Sequence, residues 1–475
     1  MRPRRPSPLG AALRSVLIPG WGQFATQQTT VGKILVFFTG LIVIAALTVF
    51  LFVEPVEIAA WLANPDVILG VILLNIVVLA IRLFSTEHAW RSGGGHRWFV
   101  AVFLATVVSV PHVAIGWVGL ETRDSMIRLF PAGDVALASE PTTTTSSTSS
   151  TTSSTTTTST TVPIELSPIV TVPGQYASDE VDATTAEGWE PFGRERLNIL
   201  LLGGDAGPGR RGLRTDTMIV ASIDPISGDA ALIGVPRNYG GVTLTDGTEV
   251  PVSQVGHVYA WGARQTDRYD GPDPGAAAAM DAISNITGLE LDHFVLVDLT
   301  GFADVVDAFG GVVLDVGIPV DGPLYDVETG GYDMIHIPVG SQHLDGAHAL
   351  AYARARYGTS DYVRMGRQRC ILASMAAQAD LLNLFSRLGG LLDAVEANLV
   401  TDIPMKTIPD LIRLTPRVSA AGIRIIGFDA KWGIGRTSTG HVIPDIERIR
   451  EAVRTTIENP QSAPDFGATT AEAGC

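Results

Sequence analysis

LNILLLGGD (Leu197–Asp205), LRTDTMIVASIDP (Leu213–Pro225) and ALIGVPRN (Ala231–Asn238) are three apolar runs in quick succession, each bounded by charge. A continuous apolar run of this length between turn residues suits a strand covered on both faces. The stretch therefore predicts strands at Leu197–Gly203, Met218–Asp224 and Ala231–Pro236, with Asp224, Pro225 and Gly228 supplying turn chemistry. Working outward, Pro274–Thr287 reads as a helix ending at Gly288, and Phe294–Leu299 as a strand. A helix through Phe309 stops at Gly310 and Gly311, and VVLDV (Val312–Val316) is a further strand. Leu344–Ala353 and Met365–Leu384 read as helices, Ile423–Phe428 as a late strand and Pro444–Ile457 as the closing helix. Strands interleaved with helices imply an α/β layered fold.

Polar residues gather at the ends of these strands. Asp205 lies just beyond the first, Arg214 and Asp216 precede the second, and Arg237 ends the third. Open α/β sheets keep their sites at strand ends, although either aspartate alone reads equally as a turn or capping residue. Arg354, Arg356, Arg364, Arg367 and Arg369 then fall within sixteen residues, with Asp361 their one acidic neighbour. A solvated face would mix signs. Five guanidinium groups and one carboxylate imply a bound anion, most simply phosphate. Arg364, Arg367 and Gln368 are expected near a helix N-terminus, whose backbone donors favour an anion.

The chain has 475 residues, 46% of them hydrophobic and 17% charged, which excludes a wholly disordered protein. Residues 1–130 hold ten Lys and Arg against six Asp and Glu, net +4; the rest hold 23 against 43, net −20. That balance argues against nucleic acid as a partner, since phosphate backbones demand a basic surface. Three apolar stretches, 31–53, 67–84 and 98–120, predict transmembrane helices; the first would span about 34 Å. Arg2, Arg4, Arg5 and Arg14 precede the first, the loop Glu54–Asp66 has no basic residue, and Arg91 and Arg97 follow the second. The positive-inside rule then puts the N-terminus in the cytoplasm and everything after Leu120 outside, in a multi-pass cell-membrane protein. Leu9–Phe24, containing IPGWGQF, reads as interfacial or re-entrant, and His112 as a polar residue within a span with no evident ionisable partner. Thr142–Thr161 is an unbroken Ser/Thr tract that can build no core. The expected organisation is a membrane region at 1–130, a linker at 131–195, a folded domain at 196–460 and a tail at 461–475. Cys370 and Cys475 are the only cysteines, and a disulfide between them stays open against two thiols.

The order LNILLLGGD, LRTDTMIVASIDP, ALIGVPRN, FVLVDLTGFADVVDAFGGVVLDV, HLDGAHALAYARARYGTSDYVRMGRQ resembles the LytR-CpsA-Psr family over about Arg196–Gln378. The resemblance implies an α-β-α layered extracytoplasmic domain with a mixed central sheet and a hydrophobic pocket for a lipid tail. It implies a membrane-anchored transferase that moves a glycopolymer from a polyprenyl pyrophosphate carrier to peptidoglycan through a phosphodiester. Its partners are then the polyprenyl-pyrophosphate-linked polymer, peptidoglycan and membrane lipid. By the family pattern Asp205 and Asp216 fall where Mg²⁺ ligands lie, with Mn²⁺ as a substitute. Arg214, Arg237, Arg354, Arg356, Arg364 and Arg367 fall where pyrophosphate-binding arginines lie, and Gln368 matches the motif glutamine. Asp205, Asp216 and Asp361 are all candidates for the base that takes the acceptor proton. The chain departs from the pattern at Gly207, where Arg210 or Arg211 could substitute for an arginine, at Asn238 for an aspartate, and at Gly256, beside His257, for an asparagine. Two other functions compete: a pyrophosphatase on the same substrates, and a non-catalytic polyprenyl-phosphate-binding regulator.

Overall fold

The computed structural model describes residues 7–130, 171–172, 195–205, 214–325, 332–379 and 399–458. The Ser/Thr tract, Gly207, Arg210, Arg211, the tail and Cys475 lie outside them, whereas Cys370 is buried and disulfide-bonded. The chain forms two units, one holding residues 1–128 with 408–413 and the other holding the remainder.

The first unit is helical: α1 (Pro8–Leu17), α2 (Trp21–Ala25), α3 (Thr29–Phe52), α4 (Pro55–Leu62), α5 (Pro65–Ser92) and α6 (Trp98–Leu129). Helices α3, α5 and α6 are long and apolar enough to cross a membrane. The IPGWGQF segment turns sharply between α1 and α2, with Gly20 left-handed at φ 98°. Gln23 of α2 is fully buried, accepting from Ser15 Oγ at 2.9 Å and donating to Ser85 O at 2.7 Å. Among the described residues His112 has no ionisable partner in its span but pairs with the neutral amide of Asn75. His112 Nδ1 lies 2.6 Å from Asn75 Oδ1, and Asn75 Nδ2 donates to His112 O at 2.8 Å. Such a polar pair fastens one apolar helix to another.

The second unit is built on a seven-stranded mixed sheet in the order β1-β11-β4-β3-β2-β5-β10. Its strands are β1 (Thr171–Val172), β2 (Leu197–Gly204), β3 (Thr215–Ile223), β4 (Ala230–Gly234), β5 (His293–Val297), β10 (Leu399–Thr401) and β11 (Ile423–Gly427). The β2–β5 and β4–β11 pairs are parallel and the others antiparallel. Thr171 and Val172, within the stretch read as linker, pair with β11 at the sheet edge. The sheet is apolar on both sides because it is covered on both. Leu200, Leu202, Met218, Val220 and Ile233 pack under α7 (Val258–Gly262), α8 (Pro274–Thr287) and α13 (Ile446–Glu458). Ile219, Leu232, Ile423 and Ile425 face the other way, toward α11 (Asp361–Ala377) and α12 (Ile408–Ala421). The result is the expected α-β-α layering.

Beyond the sheet, α9 (Leu299–Phe309) and α10 (Gly346–Arg354) share a smaller core with two ribbons. One pairs β6 (Val312–Val316) with β9 (Gly340–Leu344), the other β7 (Val320–Tyr325) with β8 (Tyr332–Ile337). A last small ribbon joins β12 (Gly433–Arg436) to β13 (Val442–Pro444). Among the boundaries that differ from expectation, β4 ends at Gly234 rather than Pro236, α10 starts at Gly346 because Leu344 belongs to β9, and the closing helix starts at Ile446 because Pro444 belongs to β13; three others have an evident local reason. The strand expected to run through Leu299 stops at Val297, because Asp298 caps α9 by accepting from Gly301 N at 2.8 Å. Strand β3 starts at Thr215, drawing Asp216 into the sheet. Helix α11 starts at Asp361, not Met365, because Ser360 caps it by accepting from Val363 N.

Candidate active site

The end of β2, the start of β3 and the end of β4 meet the start of α11 at one cavity of about 570 Å³. Its polar wall carries Asp205, Arg214, Asp216, Arg237, Arg354, Arg356, Arg364 and Gln368. Its apolar wall comes from Val295 and Val297 of β5, Phe302, Val305 and Val306 of α9, Leu350 of α10, and Leu372 and Met375 of α11. The volume and lining are those of a small-molecule site.

Asp205 and Arg214 close the end of the β2–β3 pair. Asp205 N donates to Arg214 O at 3.0 Å, and Arg214 N donates to Asp205 Oδ1 at 3.0 Å. Asp216, the second residue of β3, pairs with Arg237 Nη1 and lies 3.9 Å from Arg356 Nη2. Asp361, at the start of α11, holds the same arginines from the other side. Its carboxylate is 3.4 Å from Arg237 Nε, 3.5 Å from Arg356 Nε and 2.9 Å from Arg364 Nε. Arg364 also donates to Asp216 O at 3.3 Å and is only 2% exposed. Two carboxylates thus tie together three guanidiniums from three separate elements.

The electrostatics follow from this packing. Burial opposes ionisation of Asp361, but the Arg364 hydrogen bond and the charges of Arg364, Arg237 and Arg356 outweigh it, holding its carboxyl below the usual range. A carboxylate so engaged is a weak base. Burial works against the charge of Arg237 too, yet Asp216 and Asp361 raise its pKa overall. Arg356 goes the other way: burial, then repulsion from Arg364 and Arg237, lowers it despite the two aspartates. An anion beside Arg356 would relieve that repulsion. Around the cavity five arginines face Asp205, Asp216 and Asp298, with Asp361 behind three of them, so positive charge is still in excess by one.

Arg367 stands apart from this set. It is buried, donates to Ala355 O at 2.9 Å and lies over the Tyr352 ring at 5.6 Å. At 3.6 residues per turn, Arg364, Gln368, Leu372 and Met375 share one face of α11, while Arg367 and Arg369 lie roughly 100° to either side of it. Arg367 therefore joins α10 to α11, and Arg369 packs onto the sheet. Gln368 donates to Ala353 O at 3.3 Å while lining the cavity. Gly256 has a steric reason to be glycine: a Cβ there would lie 2.9 Å from Thr215 O and 3.2 Å from Arg237 Cβ. Burial and then the charges of Arg214, His441 and Arg237 keep His257 below its ordinary pKa although Asp216 opposes them, so it is neutral at pH 7. Asp298 and Tyr357 also line the cavity. Neither stood out in the sequence; Asp298 reads only as a helix cap, and Tyr357 carries no motif.

As to a metal, Asp205 and Asp216 offer hard oxygen donors on adjacent paired strands. Among the described residues no group of three or more His, Cys, Asp or Glu is placed to hold an ion. The pair fits Mg²⁺ that takes its other ligands from phosphate oxygens and water, and does not fit a metal held by protein alone.

The chain is 27% identical over 250 residues to the polyisoprenyl-teichoic acid–peptidoglycan teichoic acid transferase TagU of Halalkalibacterium halodurans, covering 49% of this chain and 74% of that one. It is 30% identical over 219 residues to TagU of Enterococcus faecalis, covering 44% of this chain and 62% of that one. The crystal structure of Bacillus subtilis TagV aligns with a TM-score of 0.41 at 21% identity, covering 56% of this chain and 98% of that one. Residues 145–452, well over half of the chain, match the model of the LytR_cpsA_psr family, and the protein belongs to that family.

Proposed function

We propose that the protein transfers a glycopolymer from a polyprenyl pyrophosphate carrier to peptidoglycan, leaving a phosphodiester link. The observation that carries this reading is the joining, in one cavity, of an apolar wall to a mouth of five arginines. A polyprenyl chain needs the first and a pyrophosphate the second. The family membership and the names of the relatives point the same way.

In the proposed reaction an acceptor hydroxyl oxygen bonds to the phosphorus that bears the polymer. The bridging P–O bond of the pyrophosphate breaks, and polyprenyl monophosphate leaves with the electron pair. Phosphoryl transfer asks chiefly for positioning and charge neutralisation. Arg237, Arg356 and Arg364, fixed by Asp216 and Asp361, supply rigid donors for the phosphate oxygens. Arg214 and Arg354 complete the mouth. Mg²⁺, or Mn²⁺ in its place, would be held by Asp205 and Asp216 and would supply further charge neutralisation. The hydroxyl proton goes to a nearby carboxylate; Asp361, committed to three guanidiniums that hold its carboxyl below the usual range, is poorly suited to take it.

The α3, α5 and α6 helices would anchor the protein in the cell membrane with the second unit outside, the side that the positive-inside rule assigns to it. The testing experiment supplies a radiolabelled polyprenyl-pyrophosphate-linked polymer and peptidoglycan to the full chain in detergent. Label in peptidoglycan supports transfer. Free phosphorylated polymer with unlabelled peptidoglycan would instead make the protein a pyrophosphatase.

A further inference from the structure

We infer that Tyr357 is the sugar-recognition residue of the site, a stacking platform for the first sugar of the donor at the cavity mouth. The inference rests on the transferase reading above and names what that reading leaves open: how the site distinguishes a loaded carrier from a bare one. Tyr357 lies in the turn between α10 and α11, directly after Arg356, and lines the cavity. It is nevertheless 66% exposed. Among the described side chains of the second unit it is the one aromatic ring left mostly in water; every other Phe, Tyr or Trp is buried or half-buried. A large amphipathic ring held open beside a polar site suits a ligand with one apolar face and hydroxyl groups at its edge, which is what a sugar presents.

The position is fixed rather than incidental. Arg356 on one side is held by Asp361 at 3.5 Å, Gly358 on the other adopts the left-handed conformation at φ 67°, and Thr359 N donates to Arg356 O at 3.2 Å. The linear order of the donor then assigns the subsites. The polyprenyl chain belongs with Phe302, Leu350 and Leu372, and the two phosphates with the arginines. The sugar, one bond beyond the second phosphate, falls at the rim beside Arg356, where Tyr357 stands. The arginines contact phosphate whatever it carries, so discrimination must come from this outer position.

The test measures binding of two probes to the full chain in detergent: a polyprenyl pyrophosphate, and the same lipid carrying one N-acetylhexosamine on its terminal phosphate. Tyr357→Ala is expected to weaken the sugar-bearing probe about tenfold, equivalent to about 1.4 kcal/mol, and to leave the bare lipid within about twofold. Tyr357→Trp should keep both affinities. Because the side chain is exposed, truncation opens no cavity in a core, and an unchanged melting temperature confirms that the fold is kept. Equal weakening of both probes would show that Tyr357 supports the phosphate site, and no weakening of either would show that no sugar rests on it; both overturn the inference alone. A wild-type protein that binds neither probe would overturn the transferase reading itself.

Discussion

Replacing Asp361 by asparagine removes one negative charge while keeping the shape of the side chain. At the observed separations of 2.9, 3.4 and 3.5 Å, each ion pair carries about 5 kcal/mol of attraction at an effective dielectric of about 20, before desolvation is subtracted. Most of that is offset by the cost of burying the charges. Breaking a buried pair from one side typically costs about 3–5 kcal/mol. The Asp361 side chain is 21% exposed, so the lower end, about 3 kcal/mol, is the better figure. For a unit of this size that lowers the melting temperature by roughly 6–12 °C, within the stability of an ordinary domain. The functional loss should be larger than the thermal one. Without the carboxylate, Arg237, Arg356 and Arg364 repel one another, and a displacement of about 1 Å at a reacting centre costs on the order of 100-fold in rate. The extra positive charge meanwhile favours the anionic donor. We therefore expect kcat for transfer to fall about 100-fold with donor affinity changed less than about tenfold, and Asp361→Glu to recover part of the rate. The pH dependence supplies an independent reading. The folded pKa lies below the ordinary carboxylate value, so the Asp361 contribution to stability is present above about pH 4 and is lost as pH falls through the folded pKa. Thermal melts of the asparagine variant should lack that acid limb. A variant with lowered melting temperature but unchanged kcat would refute the positioning argument.

Asp205→Asn and Asp216→Asn should each abolish transfer with circular dichroism unchanged, and wild-type activity should fall with chelator and return with Mg²⁺ or Mn²⁺; near-normal transfer by both variants would remove the metal from the account. Arg367→Met should lower stability by about 2 kcal/mol, through the lost bond to Ala355 O, while leaving donor affinity within about threefold; a large affinity loss at constant stability would return Arg367 to the phosphate set. Arg369 is fully buried, its Nε and Nη1 have no hydrogen-bond partner among the described residues, and burial pushes its pKa down to about 10. Arg369→Met is therefore expected to be neutral or stabilising by about 1 kcal/mol in chemical denaturation, since an unpartnered buried cation is replaced by an apolar chain. Gly427→Ala would push a methyl group into the same guanidinium and should cost about 2 kcal/mol, with part recovered when combined with Arg369→Met.

The central sheet was legible because its chemistry is local. Runs such as LNILLLG are continuous because both faces are covered, and α8 is bracketed by Asp273, Pro274 and a left-handed Gly288 that mark its ends unambiguously. The elements that escaped have mixed signals. β7 contains Gly322 and Pro323, β8 alternates polar and apolar residues without a strong run, and α12 carries Pro416 inside it. The first turn of α11, Asp361–Arg364, mixes charged, aromatic and apolar residues with no helical period, so the apolar pattern starts the helix four residues late. In the site, residues at strand ends were visible as charge at the boundary of apolar runs. What sequence could not supply is which face of α11 the cavity takes. The family pattern groups Arg367 with Arg364, whereas Arg367 turns toward Tyr352 and Arg364 toward Asp216. Tyr357 gains meaning only from the cavity beside it.

The most direct test of the central claim is a crystal structure of the second unit's cavity in the full chain, soaked with a polyprenyl pyrophosphate. Density for two phosphates is expected between Arg237, Arg356 and Arg364, with Arg214 and Arg354 at hydrogen-bonding distance. The hydrocarbon should run inward past Phe302, Leu350 and Leu372. Density for the lipid elsewhere, or phosphates bound away from these arginines with the apolar wall empty, would contradict it.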